Sequence, residues 1–238
     1  MRRILKTGVD ALFPRRCPVC GGIVPSFGGL ICPSCFHKLS FVKSPTCKKC
    51  GKEVLDERIE YCSDCTCHVR SFQYGMALLN YNEAASHSMA QIKYHNKREY
   101  LDFYGQAAVK RFRKRIMRIN PDVLVPVPVH PSKMRIRGYN QAEILAGIIG
   151  KSLGIPVMPG ILKRSRKTEP QKDLSPRERF KNLENAFQAD NIPDNVRTVL
   201  LIDDIYTTGS TIEACTRTLQ QKGINSVYFL TICIGCGK

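Results

Sequence analysis

The sequence predicts an α/β protein: a mostly parallel sheet with helices on its faces, preceded by a small cysteine-rich module. Three observations carry this expectation. From Tyr74 onward, apolar runs alternate with helical patterns, the order that builds a parallel sheet. The first 70 residues are instead rich in Cys, Gly and Pro and show little periodicity. Within them one pattern occurs twice, as CPVCGGIVPSFGGLICPSC (Cys17 to Cys35) and CKKCGKEVLDERIEYCSDC (Cys47 to Cys65), thirty residues apart and cysteine for cysteine. A fixed internal period marks repeated structural units. The composition shifts between Val69 and Gln73, which sets the expected units at residues 1–70 and 71–238.

Each copy of the repeat is a CxxC pair, eleven residues, then another CxxC pair. One such pair aims two thiolates at one ion, and two pairs complete the closed four-thiolate set of structural zinc. Zinc is preferred to disulfides, redox chemistry or an iron–sulfur cluster. The simplest pairing is sequential: Cys17, Cys20, Cys32 and Cys35 at one ion, Cys47, Cys50, Cys62 and Cys65 at the other. A cross-braced pairing is compatible with the same spacing. With few large apolar side chains, this module depends on its ions to fold. Cys67 and His68 stand by as substitute ligands, Cys215 reads as a core residue, and Cys233 and Cys236 as a strand end and tail.

The second unit opens with a strand at Tyr74 to Asn82. A long helical pattern follows from Ala84 to Arg118, interrupted near His95 to Arg98. Leu101, Tyr104, Ala108, Phe112, Ile116 and Ile119 recur at helical spacing, and Lys110, Arg111, Arg113, Lys114, Arg115 and Arg118 fill the other face. Asp122 to Val129 reads as a buried strand. Asn140 with Glu143 three positions on resembles a capping box, and the helix it opens stops at Gly154. Ile155 to Met158 reads as a short strand. Lys163 to Phe180 is basic and aperiodic, and loops of that length are commonly functional. Thr198 to Asp203 is a strand, Thr211 to Lys222 a helix with Gly223 as its stop, and Ser226 to Ile234 the last strand.

Apolar residues make up 43% and charged residues 24% of the 238, a globular balance rather than a disordered one. Lys and Arg outnumber Asp and Glu by 37 to 20, a formal charge of +17. Two four-thiolate zinc sites would lower this to about +13. Such an excess favours anionic partners. The start, MRRILKTGVD, has no secretory apolar core, and no run is long enough to span a bilayer. The expected compartment is the cytoplasm, without membrane insertion.

The chemistry concentrates in VLLIDDIYTTGSTIEAC, Val199 to Cys215. In open α/β sheets, ligands bind beyond the carboxyl ends of the strands. Asp203 and Asp204 are expected at such an end. Thr207, Thr208, Gly209, Ser210 and Thr211 then turn into a helix, whose unpaired N–H groups suit phosphate. Two carboxylates beside a phosphate cradle repel the phosphate itself, so they suit vicinal hydroxyls one step along the ligand. Together these features describe a ribose 5-phosphate.

VLLIDDIYTTGST resembles the motif by which type I phosphoribosyltransferases bind 5-phosphoribosyl-1-pyrophosphate (PRPP). The wider set, LFPRRCPVCG, PVPVHPSKMRIRGYNQAEILA, RSRKTEPQKDLSPRERFKNLENAF and VLLIDDIYTTGSTI, resembles the ComF family of competence proteins. The resemblance implies a double zinc ribbon followed by a type I phosphoribosyltransferase fold, with Mg²⁺ accompanying PRPP. It implies Asp203 and Asp204 on the ribose hydroxyls and Thr207 to Thr211 on the 5-phosphate. It implies a pyrophosphate loop at Val129 and His130, with Arg135 and Arg137 as charge partners. A mobile loop would bring Arg164, Lys167 or Lys172 to the leaving pyrophosphate. The family's link to natural transformation implies single-stranded DNA or other nucleic acid as a partner, with DNA-uptake or helicase proteins beside it. Two other readings remain at this level: a non-catalytic nucleic-acid adaptor on the same fold, and nucleobase salvage. The zinc module is expected to cover the site in place of a base-recognising hood.

Overall fold

Val199 to Ile202 are fully buried, and this run becomes the centre of a sheet covered on both faces, as continuous apolar strands require. In this computed structural model, which describes residues 14–25, 28–164 and 186–235, the sheet has the order β1-β6-β5-β2 with all pairs parallel. Its strands are β1 (Gly75–Asn80), β2 (Val123–Pro126), β5 (Thr198–Tyr206) and β6 (Ser226–Ile234). A short antiparallel pair, β3 (Leu162–Arg164) with β4 (Phe187–Ala189), lies apart from it.

The helical reading is reproduced closely. Two short helices, α1 (Pro33–Phe36) and α2 (Ser63–Cys67), sit in the zinc module. The long pattern becomes α3 (Glu83–Tyr94) and α4 (Leu101–Ile119), separated by a tight turn at Arg98–Tyr100, at the expected interruption. Asn82 caps α3 by accepting from the Ala85 N–H. Along α4, Leu101, Tyr104, Ala108, Phe112 and Ile116 are buried, and the helix ends at Asn120 in the left-handed conformation. Then follow α5 (Pro131–Arg137), α6 (Gln141–Leu153) and α7 (Ser210–Gln220). Asn140 caps α6 through the Ala142 N–H, and Gly154 stops it.

One core packs Val199, Leu201, Val227 and Phe229 against Ile212, Cys215 and Leu219 of α7, and it includes Phe187 of the β3–β4 pair. The other packs Leu200, Ile202 and Leu230 against α3, α4 and α6. Adjacent strand residues thus serve opposite faces, as the pleat dictates.

Three strands differ from expectation. β2 stops at Pro126 rather than Val129, because Pro126 and Pro128 offer no N–H to a ladder. Ile155 to Met158 is reduced to one parallel bridge, Leu124 to Val157, with Pro156 again withholding a donor. β5 runs on past Asp203 to Tyr206, because β6 continues beside it through Tyr206↔Ile234. The β3–β4 pair was not foreseen.

The zinc module is fastened to the sheet. Phe41 bridges Leu79 in antiparallel fashion, with the Val42 N–H donating to Leu78 and the Asn80 N–H to Ser40. Residues 40–42 thereby cover the outer edge of β1, which would otherwise expose unpaired backbone. Phe72, fully buried, packs edge-on to Phe229 with ring centroids 5.0 Å apart.

Candidate functional site

The two halves of the cysteine repeat adopt the same local structure. In each, the first CxxC sits on a small hairpin closed by one antiparallel bridge, Arg16↔Ile23 and Thr46↔Glu53, again thirty residues apart. The second pair flanks the start of a short helix, α1 or α2. The eight thiols fall into two groups, Cys17, Cys20, Cys32, Cys35 and Cys47, Cys50, Cys62, Cys65, whose sulfurs lie within 4.8 Å of one another in each group. This is sequential pairing, and four converging thiols form the donor set of structural zinc. Cys67 and His68 belong to neither group; the His68 ring instead faces Asp64 at 3.3 Å.

The groups differ in depth. Cys17 and Cys35 form a small cluster of their own with Val24. Cys47, Cys50 and Cys62 belong to the main core with Phe72 and Phe229. Gly51 shows how close the contact is: its φ is +78° and a Cβ there would meet the Gly75 carbonyl oxygen at 2.8 Å, so only glycine fits.

At the other end of the sheet, β2 leaves opposite Ile202 while β5 continues beside β6. Asp203 and Asp204 therefore have a strand neighbour on one side and an opening on the other. Both are buried. The Asp204 N–H donates to Asp203 Oδ1 at 2.8 Å. Lys93, from the last turn of α3, sets its Nζ 2.6 Å from Asp204 Oδ2. Burial and the adjacent Asp204 push the Asp203 carboxyl well above the usual carboxylate range. Burial works the same way on Asp204, but the Lys93 ammonium and a hydrogen bond from Asp203 overcome it and hold that carboxyl below its ordinary value. Burial opposes the charge on Lys93 too, and Asp204 reverses this, raising its pKa. The two carboxyls are thus pushed in opposite directions, Asp203 toward its protonated form and Asp204, against Lys93, toward its ionised form.

Beyond β5, Thr207 to Gly209 turn into α7. Gly209 has φ +75° and makes no side-chain cap, which leaves the first N–H groups of α7 directed outward. A Cβ on Gly209 would lie 2.3 Å from the Tyr206 hydroxyl, so glycine is required twice over. Thr208 and Ser210 share a hydrogen bond of 2.9 Å between hydroxyls, Thr207 is exposed, and Thr211 is half-buried. An uncapped helix start with hydroxyls around it fits a phosphate group.

His130 caps α5, its Nδ1 facing the Ser132 hydroxyl at 2.7 Å. The expected loop with Arg135 and Arg137 is this helix. Arg137 bonds Gln141 and faces Lys93 and Asp204; Arg135 is exposed, and Val129 is half-buried before the cap. Arg164, on β3, lies over the Phe187 ring and faces Asp203. Burial lowers its pKa. Lys133 was missed by the sequence reading. Desolvation, then Arg164, Lys93 and Arg137 around it, pull its pKa down. Four cations, Lys93, Lys133, Arg137 and Arg164, stand around two carboxyls, an excess that suits a polyanionic ligand. Lys167 and Lys172 lie outside the described residues.

Lys93 was also missed, although a signal existed. It lies four positions after Met89 on the stripe that buries Ala85, Ser88, Met89 and Ile92, where a lysine needs a partner. Arg70 was the third omission. It donates to the Thr208 carbonyl oxygen at 2.7 Å and pairs with Asp64 of α2 at 3.3 Å. Next to it, Ser71 donates its N–H and hydroxyl to buried Glu213 of α7 at 2.8 and 2.7 Å.

Fold and site together define a class: a double zinc ribbon joined to a parallel α/β domain with paired acids and a phosphate-type loop. The double zinc ribbon domain family matches residues 8–66. Over longer stretches the chain is similar to competence protein F of Haemophilus influenzae, at 29% identity over 225 residues, 90% of this chain and 95% of that one. It is similar to competence protein ComFC of Bacillus subtilis, at 27% identity with 81% and 79% covered. The DNA utilization protein YhgH of Escherichia coli K12 is 26% identical, with 85% and 89% covered. The resemblance to the ComF family therefore extends over most of the chain. The purine phosphoribosyltransferase of Pyrococcus horikoshii superposes with a TM-score of 0.35 at 15% identity, covering 56% of this chain and 82% of that one.

Proposed function

We propose that this protein binds PRPP with Mg²⁺ at the Asp203–Asp204 site, transfers or handles its phosphoribosyl group, and serves DNA uptake in the cytoplasm on single-stranded DNA. The observation that carries the reading is the pairing of two buried acids with an uncapped, glycine-started helix one turn further on. The relatives' names, competence protein and DNA utilization protein, supply the DNA context.

Asp204 accepts from one ribose hydroxyl, and Asp203 holds the adjacent one. Thr207 to Thr211 and the amides of α7 take the 5-phosphate. Lys133, Arg137 and Arg164 offer charge to the pyrophosphate, for which arginine is geometrically suited. When bound, Mg²⁺ neutralises charge between the phosphates and needs few protein ligands. Transfer is a displacement at C1: the bond from C1 to the pyrophosphate oxygen breaks, the leaving group takes that electron pair, and the acceptor's lone pair forms the new bond. Lys167 or Lys172, which lie outside the described residues, is a further candidate charge partner of the leaving group. Residues 1–70 serve as the zinc-ribbon unit and 71–238 as the transferase-like unit.

Calorimetry with PRPP and Mg²⁺ tests the core of this. Binding is expected for the natural protein and a loss of at least about tenfold for Asp204→Asn, the scale of one charge-assisted contact. No binding, or unchanged binding in the variant, overturns it. Pyrophosphate release in the presence of single-stranded DNA or nucleotides separates a transferase from an adaptor.

A further inference from the structure

A groove of about 410 Å³ opens along β1, between the second zinc ribbon and the C-terminal half of α4. Ser44 and Thr46 line it from the ribbon, and Arg111, Lys114, Arg115 and Arg118 from the helix. These cations recur at i, i+3, i+4 and i+7, so they form one stripe about 10 Å long at the helical rise. No lining residue is acidic. Among the described residues, no carboxylate forms an ion pair with Lys114, Arg115 or Arg118. Arg111 is anchored to the Val42 carbonyl oxygen, and Arg115 lies 5.3 Å from the centre of the Tyr74 ring. Two of the four cations are thus held in place, and Lys114 and Arg118 are exposed.

The groove is distinct from the paired acids. It opens at the β1 edge of the sheet, whereas Asp203 and Asp204 stand on β5 where β2 departs. A cation row longer than one phosphate, in a groove too small for a duplex, suits an extended chain of phosphodiesters. We propose that this groove binds single-stranded nucleic acid through its backbone. Arg and Lys neutralise successive phosphates while the Ser44 and Thr46 hydroxyls add neutral donors. Phe112, the aromatic residue lining the groove, is buried, so stacking contributes little and sequence preference is weak. The proposal rests on nucleic acid being a partner and is independent of whether PRPP is turned over.

The test is fluorescence anisotropy of a labelled thymidine oligonucleotide with the zinc-loaded full chain, over a range of salt. Lys114→Gln with Arg118→Gln is compared with Lys110→Gln and Arg113→Gln, which remove the same charge from the same helix outside the groove. The groove pair is expected to weaken binding about tenfold and to flatten the log–log salt slope by about 1.4, two contacts at roughly 0.7 each. The control pair is expected to change binding by less than about twofold. PRPP titrations are expected to be unchanged in both. Equal losses in both pairs, no loss in the groove pair, or equal competition by duplex overturn the groove. No binding by the natural chain overturns the nucleic-acid partner itself, whatever PRPP does.

Discussion

Asp203 and Asp204 are adjacent in sequence but have pKa values pushed in opposite directions, and that difference predicts a stability effect. Folded Asp203 keeps its proton to higher pH than it does unfolded. The native state therefore binds more protons there, and stability falls as pH rises from the unfolded carboxylate value through the folded one. Asp204 has the opposite sign: its contribution is present above the unfolded value and is lost as pH falls through its lowered pKa. Lys93 keeps its contribution until pH rises through its own raised value. Asp203→Asn retains an acceptor for the Asp204 N–H while removing the titratable carboxyl. It is expected to raise Tm by a few degrees at pH 8, about 1 kcal/mol for a chain of this length, and by less at pH 5.5, while weakening PRPP binding. A Tm difference independent of pH would refute it. The paired acids were legible because local sequence carries the whole motif. Lys93 was harder to see, since its partner lies more than a hundred residues away and only the fold brings them together.

Helices and zinc knuckles were legible because their determinants are local. Caps at Asn140, stops at Gly154 and Gly223, and the stripe of α4 all act within a few residues. Strand extent was less so, because β5 lengthens only where β6 accompanies it. The β3–β4 pair joins segments some twenty residues apart, each only three residues long and so too short for a diagnostic alternating pattern. Sequence spacing also made the two zinc sites look equivalent, which their packing does not. Cys20 is exposed and Cys50 fully buried. Cys20→Ser is expected to cost one zinc ion of two, by elemental analysis, and to shift Tm by only a few degrees. Cys50→Ser is expected to cost one zinc ion and to lower Tm by about 10 °C or more, because its site is part of the core that holds Phe72 and Phe229. Equal Tm losses would contradict the difference in depth.

Across the whole molecule, the zinc ribbons and the phosphate-type loop are mechanically joined. Cys62 and Cys65 flank the first turns of α2; Asp64 of that helix pairs with Arg70; and Arg70 holds the Thr208 carbonyl oxygen. Ser71 binds Glu213 in parallel, tying the same segment to α7. The second ion therefore orders a chain of contacts that ends in the loop proposed to take the 5-phosphate. Arg70→Gln removes the charge at the middle of that chain without touching a thiol or a proposed ligand contact. It is expected to keep two zinc ions and to weaken PRPP binding about tenfold, within the range of ordinary coupling energies. Linkage makes the effect reciprocal. PRPP should slow chelation of the second zinc in the natural chain, and do so less in Arg70→Gln. Chelation rates of the first site, which lacks this connection, should not respond to PRPP. Protection of both ions alike would mean that PRPP stabilises the chain as a whole rather than through Arg70.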